Sequence, residues 1–293
     1  VTRAGFIALA GRPNVGKSTL VNGLVGRKVA IVSDKPQTTR RAIRGVASDD
    51  DVQLVLVDLP GVQRPRDELT RRMQQKVEAE LAGSDAALLV LNAEEGVGPG
   101  DRFIAAALRA SPVPVVVVLN KVDRLRRPQI AEALVAAAAL EVGDDIFPIS
   151  ARTGEGVEAL RAHLRGLVPE SPFLFPVEDR SDQPLDVQLA ELVREQVIKR
   201  TFQEVPHAVE VQVEDLERPR EDLTVVKARV WVETESQKGI LIGSGGAMIK
   251  RIGTTARREL ERELGTRVHL ELAVRVRRGW RADERLLDRL GID

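Results

Sequence analysis

The chain has 293 residues, 43% of them hydrophobic and 30% charged, with 44 basic and 44 acidic side chains; that length suits two cores better than one, and the composition is that of a globular protein. It has no cysteine, which excludes disulfides, thiol catalysis and cysteine-ligated zinc, and its three scattered histidines (His163, His207, His269) make a poor metal set. Apolar runs such as VPVVVVL (113–119) are far too short to span a bilayer, and no signal-peptide pattern opens the chain, so a cytoplasmic protein is expected.

Over the first 170 residues strand-like and helix-like patterns alternate. Apolar β-like runs stand at 6–10, 52–58, 86–92, 113–120 and 146–150, with helical stretches at 17–26, 67–82, 101–110, 129–141 and 155–167. Runs apolar at nearly every position suit strands buried on both faces. They predict a parallel sheet with helices on each side and ligands at the C-terminal strand ends.

The first strand leads into GRPNVGKS (11–18), which fits the phosphate-loop pattern G-x-x-x-x-G-K-[ST] between a strand and a helix. Gly11 and Gly16 let backbone N–H groups point at phosphate oxygens, and the helix start adds positive partial charge. Lys17 is placed to neutralise the β- and γ-phosphates, and the Ser18 hydroxyl to hold Mg²⁺. Asn14, Val15, Gly16, Lys17, Ser18 and Thr19 form the expected phosphate-contact stretch, which specifies a nucleoside triphosphate but not its base.

Polar, turn-rich SDKPQTTR (33–40) follows, and Thr39 is its expected second hydroxyl on Mg²⁺; Arg40 and Arg41 read as RNA-facing or solvated rather than as charge-stabilising fingers. DLPG (58–61) ends the next strand. Asp58 is placed there to orient Mg²⁺ through water, and Gly61 to bring its N–H to the γ-phosphate; a plain turn would explain Pro60-Gly61 but not the aspartate at a strand tip. Two segments held by a γ-phosphate and released on hydrolysis make a switch.

NKVD (120–123) ends a later strand. An aspartate there accepts from both N1–H and the 2-amino group of guanine, a donor pair that adenine lacks. Asn120 and Asp123 are therefore expected on the base edge, with the Lys121 stem along the loop or the base; read alone, Asp123 also suits a helix N-cap. Ser150-Ala151, at the end of the next strand, completes the pocket through backbone contacts, so the expected nucleotide is GTP or GDP.

Residues 169–184, PESPFLFPVEDRSDQP, hold four prolines and no periodicity and read as a linker. Beyond it, a helix near 185–201, strands near 207–214 and 224–233, a glycine loop, a helix near 246–264 and a strand at 268–276 make a small α+β domain. Charge is uneven here: residues 178–222 carry 6 basic and 13 acidic side chains, residues 227–281 carry 13 basic and 6 acidic. The basic stretch contains GILIGSGGAMIKRIG (239–253), and it suits either an anionic partner or a solvated helix face. No lysine follows the last glycine of that loop as Lys17 follows Gly16, so it does not read as a second nucleotide site. Met248, Ile249, Ile252, Ala256, Leu260 and Leu264 recur at helical spacing and are core; Trp231 and Trp280 read as packing.

In chain order, GRPNVGKS, Thr39, DLPG, NKVD and Ser150-Ala151 resemble a translation-factor-related GTPase. KVAIVSDKPQTTR (28–40), SDQPLD (181–186), REQVIKRTFQEVPHAVEV (194–211) and SQKGILIGSGGAMIKRIG (236–253) resemble the Era family closely, and the likeness covers essentially the whole chain. It implies a Ras-like α/β P-loop GTPase domain over 1–170, a linker over 171–184, a type II KH domain of α+β class over 185–280 and a C-terminal tail over 281–293. It also implies a monomer that hydrolyses GTP with Mg²⁺, acts in small (30S) ribosomal subunit maturation and binds the 3′ end of 16S ribosomal RNA; some members associate peripherally with the inner membrane.

A KH domain clamps nucleic-acid backbone with a GXXG turn at a helix start, here Gly243-Ser244-Gly245-Gly246. The middle of that turn is usually partly basic, so Lys250 and Arg251 are expected to supply its charge. Where many GTPases place a water-orienting glutamine, this chain has aliphatic Val62. An asparagine in the phosphate loop is associated in this branch with a potassium ion, and Asn14 matches it, either for that ion or as a residue that shapes the loop. Two other readings stand beside this one. In one, RNA recognition is the function and hydrolysis times release; in the other, a membrane-associated signalling GTPase, no basic amphipathic helix gives support.

Overall fold

The apolar runs of the first half form one sheet. In the computed structural model, which describes residues 1–33, 35, 38–61, 67–202, 205–290 and 292, the strands are β1 (Arg3–Ala10), β2 (Ile43–Ser48), β3 (Val52–Asp58), β4 (Ala86–Asn92), β5 (Val115–Asn120) and β6 (Ile146–Pro148), in the order β2-β3-β1-β4-β5-β6. All neighbours are parallel except β2 and β3. The all-parallel expectation is therefore corrected to a mixed sheet. The physical reason is the connection: β2 and β3 are joined only by Asp49–Asp51, and so short a loop permits a hairpin but no crossover.

Alternate residues of each strand feed opposite layers. Leu88 and Val90 of β4 pack with Leu20 and Leu24 of α1 (Lys17–Val25) and with Leu160 and Leu164 of the helix over Val157–Leu167. Leu89 and Leu91 pack on the other side with Ile104 and Leu108 of the helix over Pro99–Arg109. In chain order the helices are α2 (Glu68–Ala82), α3 (Pro99–Arg109), α4 (Arg127–Ala138) and α5 (Val157–Leu167). Residues 169–182, aperiodic in sequence, are hydrogen-bonded along this unit: the Gln53 amide serves Leu174 N (2.8 Å), Phe175 N (2.9 Å) and Phe175 O (2.9 Å), and Val46 N donates to Arg180 O (2.9 Å).

The chain divides into two compact units. The first comprises Val1–Ala30, Thr39–Arg66 and Thr70–Asp182; the second comprises Gln183–Asp293 with Ile31–Thr38 and Asp67–Leu69. The second unit contains α6 (Leu185–Arg200), α7 (Val205–Ala208), β7 (Glu210–Arg220), β8 (Leu223–Val232), α8 (Glu235–Ile242), α9 (Ala247–Leu264), β9 (Arg267–Val276) and α10 (Glu284–Arg289). β7 runs antiparallel to β8, and β8 parallel to β9. Leu189, Val193 and Val197 of α6 and Ile252, Ala256 and Leu260 of α9 close its core over Val226, Ala228, Val230 and Val232.

The β-branched run before the glycine loop is a helix, α8. Its start is fixed by a capping box, in which Gln237 N donates to Thr234 Oγ1 (3.2 Å) and the Gln237 side chain accepts from Thr234 N (3.2 Å). In the C-terminal tail Leu286, Leu287, Leu290 and Ile292 are buried. Trp280 is buried as expected, and its indole N–H donates to Ala208 O (2.9 Å). Among the described residues no helix is long and apolar enough to cross a membrane.

Candidate functional site

The phosphate loop leaves β1 and enters α1. Gly16 has φ 103°, a conformation suited to glycine, and a Cβ there would lie 2.2 Å from Asn120 Nδ2. Asn120, at the tip of β5, donates to Val15 O (2.8 Å) and accepts from Ala151 N (2.9 Å). It thus ties the phosphate loop to the Ser150-Ala151 loop, a bracing role beside the base contact expected of it. Val15 belongs to the core, Thr19 is half-buried on α1, and Asn14 is exposed at φ 64°. Arg12 anchors the other side of the loop, through Nε to the buried Asp101 (2.9 Å) and Nη1 to Glu95 (3.1 Å).

Lys17 is buried, and its ammonium donates to Gly11 O (3.1 Å) and Arg12 O (3.0 Å). Burial pulls it down to about 8, against the attraction of Asp58. Asp58, at the tip of β3, is also buried. Its Oδ2 accepts from Ser18 Oγ (2.6 Å) and Thr39 Oγ1 (3.3 Å), and the two hydroxyls lie 3.2 Å apart. Burial raises its carboxyl above the ordinary range, opposed by Lys17 and the two hydroxyls. The other oxygen, Oδ1, is buried with no hydrogen-bond partner among the described residues. One free carboxylate oxygen beside two hydroxyls and a phosphate loop fits Mg²⁺, a hard cation that takes few protein oxygens and fills the rest with phosphate and water.

Gly61 lies against the same loop: a Cβ there would be 2.9 Å from Pro13 N. Val62, the position of the missing glutamine, lies outside the described residues. Arg40 is buried, against the solvated or RNA-facing expectation for it.

At the base end, Lys121 takes φ 70°, and burial lowers the pKa of its half-buried ammonium. Asp123 is held below the usual carboxylate range, first by a hydrogen bond from Ser150 and then by Arg152. Arg152 Nη2 is 2.5 Å from its Oδ2. Sequence reasoning missed Arg152, Asp101 and the bracing by Asn120, because each depends on a partner far along the chain.

In the second unit, Gly243 ends α8, Ser244–Gly246 form one 3-10 turn, and α9 begins at Ala247. Gly243 has φ 72° and ψ 171°, a region that only glycine occupies comfortably, and a Cβ there would lie 2.9 Å from Met248 N. Gly245 (φ 57°) and Gly246 (φ 80°) are also left-handed, but both face open space. The first turn of α9 holds no acidic residue and Gly246 supplies no side-chain cap; Gly246 N and Ala247 N close the turn on Gly243 O and Ser244 O, which leaves an anion the first-turn N–H groups after Ala247. Lys250 and Arg251 are exposed, and among the described residues their side chains make no ion pair.

A family model described as 50S ribosome-binding GTPase matches residues 6–121, and one described as KH domain matches residues 204–281. GTPase Era of Mycobacterium avium is 43% identical over 295 residues, covering 99% of this chain and 98% of that protein. GTPase Era of Mycobacterium bovis is 42% identical over 294 residues, covering 98% of each. A crystal structure of Era in complex with MgGDPNP and nucleotides 1506–1542 of 16S ribosomal RNA matches with a TM-score of 0.96 and 34% identity, over 100% of this chain and 99% of that one. An Aquifex aeolicus Era variant bound to GDP·AlF4⁻ matches with a TM-score of 0.94 and 34% identity over 99% of each chain. A P-loop GTPase sheet, a KH unit and whole-length identity above 40% lead to one conclusion: this chain belongs to the Era family of GTP-hydrolysing proteins.

Proposed function

We propose that this GTPase is an assembly factor for the small (30S) ribosomal subunit, which grips the 3′ end of 16S ribosomal RNA through Gly243–Gly246 and changes its grip with nucleotide state. The observation that carries this reading is the whole-chain match to an Era captured with both MgGDPNP and 16S nucleotides. The open glycine turn beside free Lys250 and Arg251 supports it, since RNA backbone needs N–H donors and cations along an accessible rail.

In the hydrolytic unit, water attacks the γ-phosphate. Lys17 turns from the loop carbonyls to the β/γ-phosphates, the loop N–H groups from Asn14 to Thr19 cradle them, and Gly61 offers its N–H to the γ-phosphate. Ser18, Thr39 and Asp58 would hold Mg²⁺, which supplies neutralising charge on the phosphates when bound. Asp123 accepts from the guanine edge once Arg152 releases it, while Asn120 and Ser150-Ala151 hold the base loop in shape and Lys121 lines it. Asn14 is assigned to a potassium ion beside the phosphates, in place of the side chain that orients water in other GTPases. Faster turnover in potassium than in sodium buffer is expected, and equal rates overturn that assignment.

Crosslinking the purified protein to cellular RNA, first with GTP and then with GDP, tests the main reading. Recovery of the 16S 3′ end, in different yield with the two nucleotides, is expected. Crosslinks that contain no small-subunit RNA overturn it.

A further inference from the structure

The second unit contains a buried arginine that the chemistry above does not use. Arg194 on α6 is fully buried; its guanidinium pairs with Glu191 (Nη2–Oε2 2.8 Å, Nε–Oε1 3.1 Å) and lies 3.6 Å from Glu210. Burial works against its charge, and the two glutamates outweigh that effect. Its Nη2 also donates to the backbone carbonyl of Thr38. The next residue, Glu195, is buried as well; it accepts from Val32 N (3.1 Å) and pairs with Lys199 (3.2 Å). All these contacts lie within the second unit, to which Ile31–Thr38 belongs. Helix α6 therefore holds that segment near both ends, with an anion on an early amide and a cation on the last carbonyl. Within the segment, Thr38 Oγ1 donates to Lys35 O (2.8 Å).

One peptide bond beyond the gripped carbonyl stands Thr39, whose hydroxyl is 3.2 Å from Ser18 Oγ and 3.3 Å from Asp58 Oδ2. The Thr38 carbonyl and the Thr39 N–Cα bond share one rigid plane, so fixing the oxygen fixes the direction in which Thr39 departs. Through Nε and Nη2 the guanidinium grips both Glu191 oxygens and the Thr38 carbonyl at once, a bidentate geometry that the point charge of lysine does not reproduce.

We propose that Arg194, helped by Glu195, is a positioning residue for GTP hydrolysis: it orients the Thr38–Thr39 peptide so that the Thr39 hydroxyl stays beside Ser18 and Asp58. This rests on the reading of Thr39 as a magnesium ligand.

Arg194→Lys keeps the charge and removes the fork. Its turnover is expected to fall about tenfold, with a similar loss in the gain of GDPNP affinity produced by Mg²⁺ over EDTA, as for one charged hydrogen bond. GDP affinity is expected to be unchanged. In a Thr39→Ala background, Arg194→Lys adds nothing further, because its effect passes through Thr39. If Thr39→Ala leaves both readouts unchanged, the magnesium-ligand reading itself falls. If Thr39→Ala lowers them while Arg194→Lys does not, or if the two effects simply add, the positioning role is overturned. Should Arg194→Lys lose cooperative melting, hydrogen exchange on the unaltered protein decides: a protected Val32 amide with MgGDPNP supports the grip, and exchange at the free-peptide rate overturns it.

Discussion

The phosphate loop and the Gly243–Gly246 turn both set left-handed glycines at the start of a helix, α1 in one case and α9 in the other, but their surroundings differ. Gly16 is hemmed in by Asn120, Val15 lies in the core, Arg12 is tied to Asp101, and Lys17 is buried on loop carbonyls. Around the second turn only Gly243 is crowded; Gly245 and Gly246 meet nothing within 4 Å, and Lys250 and Arg251 reach into solvent. A compact triphosphate needs an enclosed and rigid cradle, because its charge is concentrated and its position must be set to a fraction of an ångström. A polymer passes through its site and binds an open rail. Enclosure separates the two loops more clearly than glycine content does.

The largest expected effect comes from disturbing the enclosed loop. In Gly16→Ala, the added methyl meets Asn120 Nδ2 and the φ of 103° becomes strained. About 1–3 kcal/mol of strain and two weakened hydrogen bonds at about 1 kcal/mol each give roughly a 10²–10⁴-fold loss of GTP affinity, with RNA binding retained. Calorimetry with GTP and a filter assay with a 16S 3′-end fragment check both halves. A loss below tenfold shows that the loop is not rigidly braced. Gly243→Asp makes the reciprocal change. The side chain clashes with Met248 and places a carboxylate near the first turn of α9, so RNA affinity is expected to fall at least about tenfold with GTP turnover untouched. Equal damage to both activities would mean that the substitution acts on folding and not on the rail.

The sequence made most of the first unit legible. Strands buried on both faces are apolar at nearly every position, and four local motifs mark the tips of β1, β3, β5 and β6. β2 was lost because IRGVAS carries Arg44, Gly45 and Ser48 and is buried mostly on one side. α8 was hidden because β-branched Ile240 and Ile242 favour strands and Gly239 disfavours helix, although Thr234 and Gln237 announced its cap. The rest of the site depends on distant pairings that no local pattern encodes. Asn120 reaches Val15, 105 positions away, and Arg194 reaches Thr38, 156 positions away. In sequence Arg194 is one polar residue in a helix, and its burial follows only from Glu191, Glu210 and the backbone it holds.

The smallest effect sharpens the comparison most, because it asks whether charge or shape limits the open rail. Ser244 is exposed and not left-handed, so Ser244→Lys adds a cation at the turn without backbone strain or lost packing. One more phosphate contact on single-stranded RNA steepens the salt dependence of binding by about 0.7 in log–log slope, with a gain of a few-fold at low salt. Gly245→Lys adds the same charge where φ is 57°, and about 1 kcal/mol of left-handed strain is expected to cancel most of that gain. Neutralising Lys250 and Arg251 together should flatten the slope by about 1.4. A slope unmoved by all three changes would place the phosphates away from this face of α9. If Ser244→Lys steepens the slope but Lys250 and Arg251 do not flatten it, the backbone N–H groups of the turn carry the contact alone, and the two basic residues face solvent.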